Sequence, residues 1–116
     1  MKKQDDIPYI KHVLDAIKDL ENSLKGISKE KFRKDKDKKD ATIRRIEIMG
    51  EAVKNISEKT KNRYKNIEWK RIVGTRDMMI HHYFGVNLDI VWDIIKEDIP
   101  KLKKDILEIL QKETSF

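Results

Sequence analysis

Apolar residues recur along most of this chain at steps of three and four, the period of a helix buried along one side. Ile7, Ile10, Val13, Leu14, Ile17, Leu20 and Leu24 mark the first such stripe. Asp6 stands where it can cap that helix, Pro8 suits its first turn, and Gly26 can end it. A short helical turn is predicted from Ser28 to Phe32. The segment Lys34–Asp40 alternates in charge with no apolar residue. It reads as a solvated loop or helix start, with a nucleic-acid contact as the alternative.

A second long helix is predicted from about Asp40 to Ile56. Ile43, Ile46, Met49, Gly50, Val53 and Ile56 form its stripe, and Ala41, Ile48 and Ala52 widen it. So wide an arc predicts packing on more than one side. Gly50 costs about 1 kcal/mol in a helix interior, so it is expected to allow another helix close approach. Ser57 can cap a short helix toward Tyr64. A third long helix, capped by Asn66, should end near Phe84 and Gly85. Asn87 can cap a fourth from Leu88, with Ile90, Val91, Ile94, Ile95, Ile99, Leu102, Ile106, Ile109 and Leu110 apolar. Pro100 must kink or break it. No strand pattern, repeat or glycine-rich phosphate loop appears. The expected architecture is all-α, an up-and-down bundle of four to five helices in a single domain spanning 1–116.

Composition changes this picture little. Charged residues make up 41 % of the 116 positions, but the helical periodicity excludes a disordered chain. Without cysteine there is neither a disulfide nor a thiolate-metal site. The charged start, Met1 to Asp6, has no apolar stretch after it, which argues against a signal peptide or membrane span and for a soluble, cytoplasmic protein. A net charge of +6 is compatible with a polyanion such as RNA, although lysine-rich surfaces are common in structural domains.

Chemistry concentrates in Arg76-Asp77-Met78-Met79-Ile80-His81-His82-Tyr83. At about 100° per residue, Arg76 projects into the middle of the apolar stripe of Trp69, Ile72, Val73, Met79, Ile80 and Tyr83. A guanidinium keeps its charge, so such a position costs several kcal/mol unless it is paired. Arg76, His81 and Tyr83 suit phosphodiester cleavage. A histidine can take a proton from a ribose 2′-hydroxyl or give one to the leaving oxygen, and an arginine can hold the crowded phosphate. That scheme needs no metal and no cofactor. On an ideal helix His81 points about 140° from Arg76, and Tyr83 lies within about 20° of it. Either the helix distorts by His81 or a second chain completes the site, as in a symmetric dimer. A partly buried helix-end histidine is the plainer reading of His81, core is that of Tyr83, and His82 reads as surface.

The second helix offers a supporting set. Arg44, Glu47 and Glu51 share a polar strip, and the two carboxylates could bind a metal or do acid-base work. Arg44 between them argues for salt bridges instead. Arg45 projects into the apolar arc between Ala52 and Ile56, as a second phosphate contact or a side chain snorkelling to the surface. Trp69 and Trp92 read as core, and His12 as surface.

Several stretches carry a resemblance to a known family. These are Ile43-Arg44-Arg45-Ile46-Glu47-Ile48-Met49-Gly50-Glu51-Ala52, Trp69 and Ile72 before Arg76-Asp77, Ile80 to Val86, and Ile90-Val91-Trp92. Together they resemble the HepT family of small HEPN-domain toxins, from about Ile7 to Ile109. The resemblance implies a homodimeric, metal-independent endoribonuclease with paired R-x4-H motifs between protomers. It implies Arg76 and His81 as the catalytic pair and a toxin-antitoxin partnership with MntA, a minimal nucleotidyltransferase. That partner would transfer AMP onto Tyr83, and a bulky anion there would repel RNA. Many members have asparagine at the position of Asp77; an aspartate can orient Arg76 or a histidine, but brings negative charge toward the phosphate. Arg45, Glu47 and Glu51 would be second-tier groups. The competing reading is a non-catalytic HEPN module that binds a nucleotide or a nucleotidyltransferase partner.

Overall fold

The computed structural model describes residues 6–81 and 87–114, except for the side chains of residues 80 and 81. The described residues form α1 (Ile7–Leu24), α2 (Lys29–Lys34), α3 (Lys36–Lys54), α4 (Glu58–Arg63), α5 (Trp69–His81), α6 (Leu88–Asp93) and α7 (Ile99–Thr114). A π-helical turn, Ile94–Asp98, joins the last two. No strand occurs among the described residues, so the helical-bundle expectation holds. Helix α3 packs against α1 and α5, and α7 packs on α1.

The periodic stripes drive this packing. Ile10, Val13, Leu14, Ile17, Leu20 and Leu24 of α1 are all buried, as are Ile43, Ile46, Met49, Ala52 and Val53 of α3. Each large apolar side chain removed from water contributes roughly 1.5–3 kcal/mol. The expected double-sided packing of α3 is present. Its arc is narrower than the sequence suggested, however, because Ile48 faces solvent. Ile90 of α6 is likewise exposed. Phe32, fully buried, anchors the short α2. Trp92 stacks obliquely on it with ring centroids 5.4 Å apart.

Most helix ends follow their capping residues. Gly26 takes φ of 75° just beyond α1, a conformation that favours glycine. Side-chain oxygens of Ser28, Ser57 and Asn87 accept backbone N–H groups at the starts of α2, α4 and α6. Asp35 does the same for Lys38 at 3.0 Å, so the alternating-charge segment is a helix start and α3 begins four residues before Asp40.

Two expectations are corrected. Asp6 makes no capping bond to α1. Its carboxylate instead accepts the Ser57 N–H at 3.0 Å, the Ser57 hydroxyl at 2.6 Å and the Thr60 hydroxyl. It thereby clasps the start of α1 to the α3–α4 corner. Burial pushes this carboxyl up, but the Ser57 and Thr60 hydrogen bonds and the Arg63 charge outweigh it, leaving it below its ordinary 3.8. Asn66 does not cap α5. It lies in a turn, and the helix starts at Trp69, whose indole N–H donates to the Tyr64 carbonyl at 3.1 Å while its ring is buried beside Ile67. Pro100 breaks the regular α-helix as expected, through the π-helical turn Ile94–Asp98 just before it. The Ile99 N–H reaches back five residues to the Ile94 carbonyl, and this widened turn absorbs the proline's missing donor. The predicted end of α5 near Phe84 and Gly85 lies outside the described residues.

Candidate active site

Helix α5 meets α3 at a glycine. A Cβ built on Gly50 would sit 2.2 Å from the Cβ of Arg76 and 2.7 Å from its Cγ. The aliphatic stem of Arg76 therefore lies directly on bare α3 backbone, and the close approach expected of Gly50 is made by this residue. Around it, Trp69 and Met79 are buried, and Ile72 and Val73 are partly buried against the core. The stripe reading of Arg76 is correct for those neighbours, while Ile80 and Tyr83 contribute no described side chain.

The charge expected to need a partner has two. Arg76 Nη2 lies 2.6 Å from Glu51 Oε2, and Nη1 donates to Asp77 Oδ1 at 3.0 Å. The side chain is only 20 % exposed. Its Nε is buried and has no hydrogen-bond partner among the described residues. The guanidinium is thus fixed at its stem, braced by two carboxylates and left with one unused buried donor. Both carboxylates are about half exposed, so a phosphate oxyanion entering from solvent can replace either one.

Arg76 opens onto a shallow groove over the outer face of α3, with Arg44, Glu47 and Glu51 on its floor and Tyr9 and His12 of α1 on its far side. The polar strip on α3 divides. Glu51 turns to Arg76, and Glu47 keeps a loose 4.0 Å contact with Arg44. His12 is exposed as expected, but antiparallel packing brings it to this groove, edge-on to Tyr9 with centroids 6.5 Å apart. Nothing in the spacing of α1 alone could have placed it there.

Arg45 stands apart from the groove, about 140° around α3 from Gly50. It is half-buried, and its Nη1 is buried with no hydrogen-bond partner among the described residues. Helix α5 stays α-helical through His81. The His81 side chain, His82 and Tyr83 lie outside the described structure.

A different cleft, of about 280 Å³, opens between α3, α5 and the α6–α7 arm. Its floor includes Ile46, Met49, Ile72 and Leu102, and an Arg71–Asp98 ion pair at 3.1 Å stands on its rim. It excludes Arg76, and its own cations, Arg71 and Lys101, are held by Asp98 and Glu68. The groove at Arg76 is therefore the candidate site.

The HepT-like ribonuclease family matches residues 13–109, and the chain belongs to it. A protein named "Putative RNase" from Caldanaerobacter subterraneus subsp. tengcongensis is 46 % identical over 106 residues, covering 91 % of this chain and 95 % of that protein. One named "Probable ribonuclease HepT" from Thermococcus cleftensis is 41 % identical over 95 residues, 82 % of this chain and 86 % of that one. In Methanocaldococcus jannaschii, "Gamma-glutamylcyclotransferase and putative RNase" is 42 % identical over 104 residues, 90 % of this chain but 47 % of the longer relative. No solved structure gives a significant match. No described helix is long and apolar enough to cross a membrane.

Proposed function

We propose that this chain is a metal-independent endoribonuclease acting as the toxin of a HepT/MntA-type pair. The observation that carries the reading is Arg76: a cation fixed on the glycine of α3, shielded from water, and paired only with carboxylates that a phosphate can displace. Arg76 binds the scissile phosphate and offsets the charge that grows on it. His81 acts as general acid or base on the ribose 2′-hydroxyl or the leaving 5′-oxygen. Attack of the 2′-oxygen on phosphorus breaks the P–O5′ bond, leaving a cyclic phosphate on one fragment and a 5′-hydroxyl on the other. Asp77 and Glu51 position Arg76. Glu47 lies on the groove floor, and Arg45, with its unused donor, takes a phosphate further along the strand.

The unbroken helix to His81 supports a homodimer, in which His81 of one protomer works beside Arg76 of its partner. The single domain spans 1–116, works in the cytoplasm, and is silenced when an MntA-like nucleotidyltransferase places AMP on Tyr83.

The test is cleavage of total RNA in excess EDTA by protein whose intact mass excludes AMP, compared with its His81→Ala variant. Fragments with cyclic-phosphate ends from the wild type alone are expected. An inert wild type of confirmed dimeric state and mass would overturn the ribonuclease reading in favour of a nucleotide- or partner-binding module.

A further inference from the structure

A second open groove begins where the first ends. It runs between the end of α3, α4 and the outer side of α5, and its lining sets Lys54, Lys61, Lys65, Lys70 and Arg71 against the carboxylates Glu58, Glu68 and Asp77. Its last residue on α5 is Asp77, whose carboxylate holds Arg76 at 3.0 Å. The groove therefore leads to the ion pair at the candidate site.

Its charge is unevenly spent. Lys54, Lys65 and Lys70 are exposed and have no carboxylate partner among the described residues. Lys61 keeps only a 3.9 Å contact with Glu58. Gly74 is exposed midway along α5, and a Cβ there would meet nothing within 4 Å, so the floor between the lysines is open. The aromatic residue of the lining, Trp69, is buried with its N–H bonded to Tyr64 and gives no stacking platform. A groove with cations but no exposed ring grips a polyanion by its backbone and not by its bases.

We propose that this groove is the track for the single-stranded RNA beside the scissile bond, with Lys54, Lys65 and Lys70 each neutralising a phosphate. The inference rests on the ribonuclease reading, and it adds where the substrate lies and why grip there is independent of sequence. Binding through three phosphates has a defined salt signature, because each one neutralised on a single strand contributes about 0.7 to the slope of log K against log salt.

The experiment measures affinity of the full-length His81→Ala protein for a fluorescent single-stranded RNA at several salt concentrations. It is repeated with Lys54→Ala/Lys65→Ala/Lys70→Ala added. A second triple variant, Lys18→Ala/Lys25→Ala/Lys104→Ala, makes the same change in net charge at exposed positions of α1, the residue that ends it, and α7. The groove variant is expected to lose about 2 from the slope and at least tenfold in affinity at low salt, equally for RNAs of different sequence, while the control keeps the parent slope. Equal losses in the two variants would overturn the track in favour of bulk charge. An unchanged slope in the groove variant, with RNA still cleaved by wild type, would overturn the track alone. RNA binding that depends on the groove in a wild type that never cleaves would leave the track standing and sink the ribonuclease reading.

Discussion

Replacing Gly50 with alanine adds one methyl group where α3 and α5 already touch. Ordinary contact begins at 3.4 Å, whereas the new Cβ would lie 2.2 Å from the Cβ of Arg76. About 1.2 Å of extra separation must be found. The Arg76 Cβ is fixed to the α5 backbone, so a side-chain rotation cannot supply it, and α3 and α5 must part. Overpacking of this kind costs about 1–3 kcal/mol. Alanine returns about 1 kcal/mol of helix propensity, leaving a net loss of up to about 2 kcal/mol and a melting temperature lowered by up to roughly 10 °C. Activity should fall further than stability. An arginine displaced by about 1 Å from its phosphate costs on the order of 10²-fold in rate. Gly74→Ala is the matched comparison, because a Cβ there meets nothing within 4 Å. It should raise stability by about 0.5–1 kcal/mol. Circular-dichroism melts of the two variants and single-turnover RNA cleavage by Gly50→Ala test the reasoning. A Gly50→Ala protein as stable as wild type and cleaving at the same rate would refute it.

Other outcomes follow from the same contacts. Asp6→Ala leaves the Ser57 and Thr60 donors without their acceptor, and urea melts should show a loss of about 2 kcal/mol. Because the folded Asp6 carboxyl lies below 3.8, its contribution is complete above that value and disappears as pH falls through the lower folded value. Asp6→Asn should therefore flatten stability against pH only in the acid limb, below about pH 4. Arg76→Lys keeps the charge but loses the two-pronged grip, and RNA cleavage should fall about 10²-fold. Melting should move only a few degrees, since half-exposed ion pairs are worth under about 1 kcal/mol. Arg45→Met replaces a half-buried, unpaired guanidinium with an apolar chain. It should raise stability by about 1 kcal/mol while weakening binding of the fluorescent single-stranded RNA, and unchanged binding would remove Arg45 from the substrate path.

What the chain disclosed in advance follows physical lines. Periodicity located the long helices because burial of one stripe is written directly into residue order, and Ser28, Ser57 and Asn87 act within three residues of themselves. Arg76 was legible for a related reason, since a permanent charge in an apolar stripe is a local contradiction. Asp6 misled because its local role lost to a distant one. Ser57 lies 51 residues from Asp6, and the burial of Trp69 sets the start of α5. His12 reached the groove through the pairing of α1 with α3, which no local pattern records. The extended stripe of α3 overstated its buried arc because Ile48 looks apolar in sequence whichever way the helix is turned. The lysine track was hidden in a net charge that composition reports without position.

The π-helical turn at Ile94–Asp98 has a bearing on how the chain tolerates changes in length. Such a turn holds one residue more than the α-helical turn it replaces. Removing a single residue from it would leave α6 and α7 facing the same way. A deletion inside α7 would instead rotate everything beyond it by about 100° and lift Ile106 and Ile109 out of the core. The permission carries a condition two residues later. In a plain α-helix Pro100 would press against a carbonyl it cannot bond, so a chain that lost the extra residue would have to lose the proline too. The π turn and Pro100 form one unit of inheritance: related sequences should gain or lose them together, at a seam where the length of this arm can vary without disturbing the core.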